Sequence, residues 1–443
     1  MELNEMHIAL SRDESRKLYS KVTWRLIPLL FTCYIIAYID RINVGFAKLQ
    51  LREVLGVDDA VFGSVYGLGA GLFFIGYFLF EIPSNLILAR VGARIWIARI
   101  MIIWGFVATA MMLINSASMF YIMRFTLGVA EAGFYPGILL YLTYWFPARE
   151  RARTIALFAT GAVIAGIIGS PLSGAILGMH GAAGLDGWQW LFLLEGIPAV
   201  LLGLVVLIML PNGPQKAKWL SEREKNWIQY RLDEEIAQRK GLVHFRLSKA
   251  LLSRSVWLLC LIYFLLNVGG YGYEMWLPSI INDLKGMSFS PFGIGMVNAI
   301  PYLAAAIAMF AVGHHSDRTG DRRWHVAVSA ALSAVGFFFS AYFHNPFLAM
   351  AALTVAFIGL KSTVGPFWAL ATTFLTGTAA AGGIAFINSV GNLGGFVGPY
   401  LVGIFKDKTG NNELALYILG GALLLMGFLI LAVRDKGFHK NTV

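Results

Sequence analysis

Two cysteines and eight histidines are all the thiol and imidazole chemistry that 443 residues offer. Cys33 and Cys260 both lie inside apolar runs, which reads as buried filler and argues against a disulfide framework or a thiolate metal site. None of the histidines falls near the middle of an apolar run, so proton chemistry inside a membrane would have to use carboxylates. Charge is scarce as well: 14% of residues are charged against 58% hydrophobic, and the mean hydropathy is +0.67. A soluble chain of this length needs far more polar surface. A Gly-rich phosphate loop ending in Lys-Ser/Thr, a metal-ligand cluster and a Ser/His/Asp constellation are all missing, which argues against an enzyme and against an ATP-driven pump. No cofactor and no metal is expected. A receptor is disfavoured by the lack of a soluble signalling domain. The first 23 residues are polar, without an apolar core or a small-residue cleavage site, so no removed signal peptide is expected.

Apolar segments of spanning length recur from end to end. Twelve are expected, near 24–47, 61–84, 95–114, 118–141, 154–178, 188–210, 255–282, 291–313, 324–343, 347–374, 379–405 and 413–433. The fold class that follows is an all-α membrane protein with twelve transmembrane helices. Residues 211–254, beginning "PNGPQKAKWLSEREKNW", form a charged amphipathic linker that divides the chain into six spans and six. The expected organisation is a cytoplasmic N-terminal segment 1–23, a six-helix bundle 24–210, a cytoplasmic linker 211–254, a second bundle 255–433 and a tail 434–443. With both termini inside, inner segments carry 26 lysines and arginines and outer loops five: Lys48, Arg52, Lys285, Lys406 and Lys408. The positive-inside rule therefore orients the chain, and these clusters account for the net charge of +10 without nucleic acid. Arg41, Arg124 and Lys361 are left within spans.

The two halves repeat. "NLILARVGAR" (85–94) follows span two and "GHHSDRTGDR" (313–322) follows span eight. Each contains Arg-x-Gly-x-Arg, as Arg90/Gly92/Arg94 and Arg318/Gly320/Arg322, spaced 228 residues apart. The second copy, with Asp317, fits the loop signature of the major facilitator superfamily at every fixed position. The first departs from it at Asn85 and Ala89. "GIIGSPLSG" and "GGFVGPYLVG" resemble that superfamily's Gly/Pro packing motif. More narrowly, "YIDRINVGFA", "FEIPSNLILARVGARIWIARIM", "RFTLGVAEAGFYPG", "FLLEGIPA" and "NSVGNLGGFVGPYLVG" together resemble the anion:cation symporter branch, which includes bacterial tartrate, phthalate and sugar-acid carriers and animal sialin and vesicular glutamate carriers. The resemblance implies a proton-linked organic anion transporter of the bacterial inner membrane. Its expected partners are a small organic anion, protons and the lipid bilayer, with no nucleic acid, and the working unit is expected to be a monomer.

A charge at the centre of a bilayer costs roughly 2.5–3.5 kcal/mol even on the mild insertion scale, so intramembrane charges read as functional. Arg41 and Arg124 each lie about six residues inside the outer end of a span, roughly 9 Å deep. They can face one cavity and offer forked donors to a carboxylate. Glu131 lies nearly two turns below Arg124 on the same face, and Asp40 precedes Arg41. The competing reading is a structural pairing of Asp40 with Arg124, or of Arg41 with Glu131. The resemblance implies proton sites at Asp40 and Glu131 and substrate binding or gating at Arg41 and Arg124. Glu81 and Glu195 read as helix caps or loop ties. In the second half, Glu274 and Lys361 are expected either to neutralise each other or to leave Lys361 as a substrate ligand. Gly269, Gly270 and Pro278 beside Glu274, and the Gly/Pro positions beside Lys361, suggest discontinuous helices in spans seven and ten. Tyr38, Tyr77, Asn267, Tyr271, Ser362, Asn388 and Asn392 complete a candidate cavity lining. The aromatics among them read equally well as packing.

Overall fold

The computed structural model describes residues 10–240, 253–284, 287–374 and 379–433. The chain runs through α1 (Arg12–Ile42), α2 (Val44–Leu55), α3 (Asp59–Val91), α4 (Ala93–Ala110), α5 (Ala117–Glu131), α6 (Phe134–Thr143), α7 (Ala148–Ala159), α8 (Gly161–Leu177) and α9 (Gly187–Met209). The charged helix α10 (Glu222–Lys240) follows. The second half then contains α11 (Arg254–Asn282), α12 (Pro291–Thr319), α13 (Arg323–Tyr342), α14 (Pro346–Phe374), α15 (Ala379–Asn392), α16 (Gly394–Thr409) and α17 (Glu413–Ala432). Among the described residues, ten single helices or consecutive helix pairs are long and apolar enough to cross a membrane. The pairs α7–α8 and α15–α16 supply two more, so the fold is the expected all-α membrane protein of twelve spans in two six-helix halves.

The burial pattern is that of a protein solvated by lipid. Phe106, Ile122, Ile208, Ile307, Phe310 and Phe428 are exposed, whereas Asp40, Arg124, Glu131 and Glu274 are buried. On a protein bathed in water such apolar surface would be an aggregation liability. In a bilayer it meets hydrocarbon, and the polar groups turn inward.

Helix breaks do not fall where the sequence suggests. Spans seven and ten are continuous: α11 runs through Gly269, Gly270 and Pro278, and α14 runs through Pro366. Neighbouring helices tolerate a proline in a membrane helix, and the glycines of α11 serve packing, with Gly269 set against Leu423 and Gly272 against Leu419. The interruption lies in span four. Ala132 turns out of the helix at ψ 130° and Gly133 adopts φ +86°, directly after Glu131. At Asn43, Thr160 and Leu393 the backbone stays right-handed helical.

The halves meet along α3 against α16 and along α8 against α12. Within the first half, α3 crosses α5 at very short range. A Cβ on Gly128 would stand 1.9 Å from the carbonyl oxygen of Phe73. Gly128→Ala must therefore push apart the two helices that carry Phe73 and Arg124. Overpacking of this kind costs ~1–3 kcal/mol. A lowered Tm of the purified variant in detergent is expected, and an unchanged Tm would show that the crossing yields freely.

The internal duplication is visible in the loops. Gly92 ends α3 at φ +96° and Gly320 ends α12 at φ +70°. Arg94 binds Asn212 through its backbone N–H (2.9 Å) and the Leu207 carbonyl through its side chain (2.5 Å). Arg322 pairs with Asp317 at 2.7 Å and donates to Ser316 at 2.9 Å. Arg90 and Arg318 are exposed. The linker helix α10 is tied to α1 by Lys21–Glu224 at 2.9 Å.

Candidate functional site

Among the described residues, polar side chains gather in several groups in the interior, and three of these hold most of the candidate residues. The first is built on α1 and α5. Arg41 of α1 forms an ion pair with Glu131, the last residue of α5. Its other terminal nitrogen donates to the Tyr271 hydroxyl of α11 at 3.2 Å, so the first half reaches the second at this point. Phe73 of α3 is the shelf beneath both arginines: the guanidinium carbons of Arg41 and Arg124 lie 5.3 and 5.1 Å from its ring centre. Tyr77, one turn on, is 5.5 Å from Arg41. The two guanidiniums thus share one aromatic ring.

Arg124 is fully buried and donates to the Ala70 carbonyl at 3.2 Å. Among the described residues its Nε and second terminal nitrogen have no acceptor, and Glu131 likewise keeps one unpartnered oxygen. Of the two alternative pairings, Arg41–Glu131 forms. Asp40–Arg124 does not: both Asp40 oxygens are buried without a hydrogen-bond partner. Buried polar groups without partners are uncommon and call for an explanation in function.

The second group crosses the interface between the halves. Lys361 of α14 pairs with Glu274 of α11 at 2.8 Å. The Tyr38 hydroxyl of α1 lies 2.8 and 2.9 Å from the two Glu274 oxygens, Tyr302 of α12 lies 3.3 Å from one of them, and Lys361 reaches the Tyr38 oxygen at 3.1 Å. Ser362 is buried with its hydroxyl unpartnered, and the Asn267 amide nitrogen is also unpartnered.

The third group holds Glu81 of α3, which accepts from Asn388 at 2.9 Å and Ser389 at 2.6 Å, both on α15. Glu81 and Asn388 thus tie the halves together, and Asn388 bonds to Glu81 rather than to either arginine. Glu195 accepts from Ser173 at 2.7 Å, joining α9 to α8. Asn392 is buried on α15.

Several contributors escaped the sequence reading. Tyr302 and Phe73 sit in apolar stretches with nothing local to set them apart. Lys48, counted as an outer-loop charge, is buried in α2. It donates to Ser279 at 2.9 Å and lies 3.8 Å from the Trp276 ring centre. Lys48 also lines a depression of about 780 Å³ with Arg52, Asp283, Lys406 and Asp407, which none of Arg41, Glu131, Glu274 and Lys361 lines.

Such a site, with charges on both halves of a twelve-span bundle, belongs to a carrier. The profile of the Major Facilitator Superfamily matches residues 30–399. The chain belongs to that superfamily. It is a multi-pass membrane transporter and not an enzyme. A candidate tartrate transporter of Agrobacterium vitis is 47% identical over 422 residues, covering 95% of this chain and 92% of that one. A quinolone resistance transporter of Acinetobacter baumannii is 44% identical, covering 97% and 98%. Among solved structures, the xylose transporter XylE of Escherichia coli in a partially occluded inward-open conformation superposes with a TM-score of 0.74 at 13% identity, covering 94% and 98%. That likeness concerns the fold alone.

Proposed function

We propose that this transporter couples uptake of a small organic anion to inward proton flow by alternating access, with a compact dicarboxylate such as tartrate favoured and an aromatic acid such as phthalate next. The observation that carries the reading is the buried Arg41–Glu131 pair, with Arg124 beside it holding two N–H-bearing nitrogens that have no acceptor among the described residues. A carboxylate substrate can replace Glu131 on Arg41 once Glu131 has taken up a proton, and Arg124 then completes the fork. Asp40, buried without a partner, is a second place to hold a proton. Both termini are cytoplasmic in this reading, by the distribution of basic residues. The bundles 24–210 and 255–433 rock about the site as a monomer, and the basic loops at Arg90–Arg94 and Asp317–Arg322 gate the cytoplasmic end.

Purified protein in proteoliposomes is expected to accumulate labelled tartrate when the outside is made acidic, and a protonophore is expected to abolish that accumulation. Uptake indifferent to the pH gradient would overturn the coupling. Failure of every acid in a panel of mono- and dicarboxylates would overturn the substrate class. The kinship with a drug-resistance carrier favours one second reading, an exchanger or exporter. Efflux of preloaded drug without any uptake of organic acids would select it.

A further inference from the structure

The Glu274 cluster has the composition of an anion-binding seat whose occupant is part of the protein. Three donors on three helices converge on one carboxylate: Lys361 of α14 at 2.8 Å, Tyr38 of α1 at 2.8 and 2.9 Å, and Tyr302 of α12 at 3.3 Å. Glu274 is 3% exposed. We propose that Lys361, Tyr38 and Tyr302 form a second carboxylate subsite which Glu274 fills in the empty carrier, and that a dicarboxylate takes its place when Glu274 accepts a proton. This rests on the proton-coupled anion reading above and adds a proton count that depends on the substrate.

Two observations separate this seat from a structural brace. First, Tyr38 belongs to the first half and Glu274 to the second. The contact therefore spans the surface along which the halves move in a rocking carrier, whereas a strut inside one half would not. Second, the seat repeats the arrangement at Arg41. There too a cation is held by an internal carboxylate, and there too a tyrosine of the opposite half, Tyr271, completes the contact. Tyr38 and Arg41 are one turn apart on α1, and Glu274 and Tyr271 are one turn apart on α11. The two seats are thus offset by about one helical turn, ~5.4 Å. That is the scale of a four-carbon dicarboxylate.

Charge then fixes the proton count. A substrate carboxylate entering beside an ionised Glu274 would bury two negative charges against one lysine, which the low-dielectric interior opposes. A proton on Glu274 leaves Lys361 with one negative partner, as before. The titratable groups facing Glu274 are Tyr38 of α1, Tyr271 and Tyr273 of α11, Tyr302 of α12 and Lys361 of α14. Against the other side of α11, α16 and α17 bring Gly398, Leu419 and Leu423. A substrate with one carboxylate needs only the Arg41 seat and leaves the Glu274–Lys361 pair closed.

The test compares tartrate with threonate, the same four-carbon skeleton with one carboxylate reduced to an alcohol. Proton-to-substrate ratios are measured in proteoliposomes from the membrane potential and pH gradient at which net flux vanishes. The wild-type carrier is expected to move one more proton with tartrate than with threonate. In Glu274→Gln the tartrate ratio is expected to fall by one, so each tartrate entering carries one more net negative charge inward than in the wild type. Equal ratios for the two acids in the wild type overturn the proposal and leave the proposed function standing, and this comparison needs no variant. An unchanged tartrate ratio in Glu274→Gln overturns it as well. If the wild type moves neither acid with protons, the proposed function fails and the subsite fails with it.

Discussion

Glu131→Gln is expected to abolish accumulation of a one-carboxylate substrate such as threonate driven by a pH gradient, while exchange of that substrate across the membrane persists. Glu131 is 1% exposed, pairs with Arg41, and ends α5 where the backbone leaves the helix at Ala132 and Gly133. Glutamine preserves the shape and can still accept from Arg41 through its amide oxygen, but it cannot release or take up a proton. The variant therefore resembles the protonated carrier permanently, with Arg41 available to the anion at every step. A pH difference of one unit is worth 1.36 kcal/mol, so an electroneutral carrier moving one proton per anionic charge reaches about tenfold accumulation of a monoanion. For threonate, which engages only the Arg41 seat, the variant's accumulation ratio is expected to be about one, since an uncoupled carrier only equilibrates its substrate. Counterflow with substrate on both sides, measured beside proton-driven uptake, separates loss of coupling from loss of transport. Full concentrative uptake by the variant would remove Glu131 from the coupling.

The ionisable residues of the interior were legible in the sequence because they are rare there. In a run such as "YIIAYIDRINVGFA" a charge has no cheap solution, so Asp40 and Arg41 declare themselves without knowledge of the fold. Arg124, Glu131, Glu274 and Lys361 do the same. Depth along a helix was also legible, because rise per residue is fixed, and Arg41 and Arg124 do converge, on Phe73. Partner choice was not. Whether Arg41 meets Glu131 while Asp40 is left without an ion-pair partner among the described residues depends on how α1 is rotated against α3, α5 and α9, which is set by packing among all of them. Tyr302 and Phe73 were invisible for a related reason: an aromatic in an apolar run is ordinary, and only the neighbouring helix gives its hydroxyl or ring a role. Lys48 misled because a lysine near a span end reads as a loop charge, whereas the ring of Trp276 and the hydroxyl of Ser279 hold it inside. Spans seven and ten misled because glycine and proline mark close packing as readily as they mark a break.

Arg124→Lys is expected to cost the carrier its substrate while leaving the protein in the membrane. Arg124 is fully enclosed, rests on the Phe73 ring and makes one hydrogen bond, to the Ala70 carbonyl. Two of its N–H-bearing nitrogens have no acceptor among the described residues, so the group is held in place by packing rather than used up by a partner. A lysine keeps the charge and the stem but ends in a point cation, which cannot present two parallel donors to a carboxylate. Hydrogen bonds to charged groups are worth ~1.5–3 kcal/mol, so losing one weakens binding by roughly ten- to a hundredfold. The expected result is a rise of that size in the Kd for tartrate, measured by substrate protection against thermal unfolding, with membrane insertion and basal Tm close to the parent's. Arg124→Lys also separates the two seats. An anion held on Arg41 and Arg124 feels the change whether it carries one carboxylate or two, so threonate and tartrate are expected to lose affinity together. A Kd near the parent's for both acids would show that Arg124 only supports the helix crossing of α3 and α5, and the fork that receives the substrate would then have to be built from Arg41 alone.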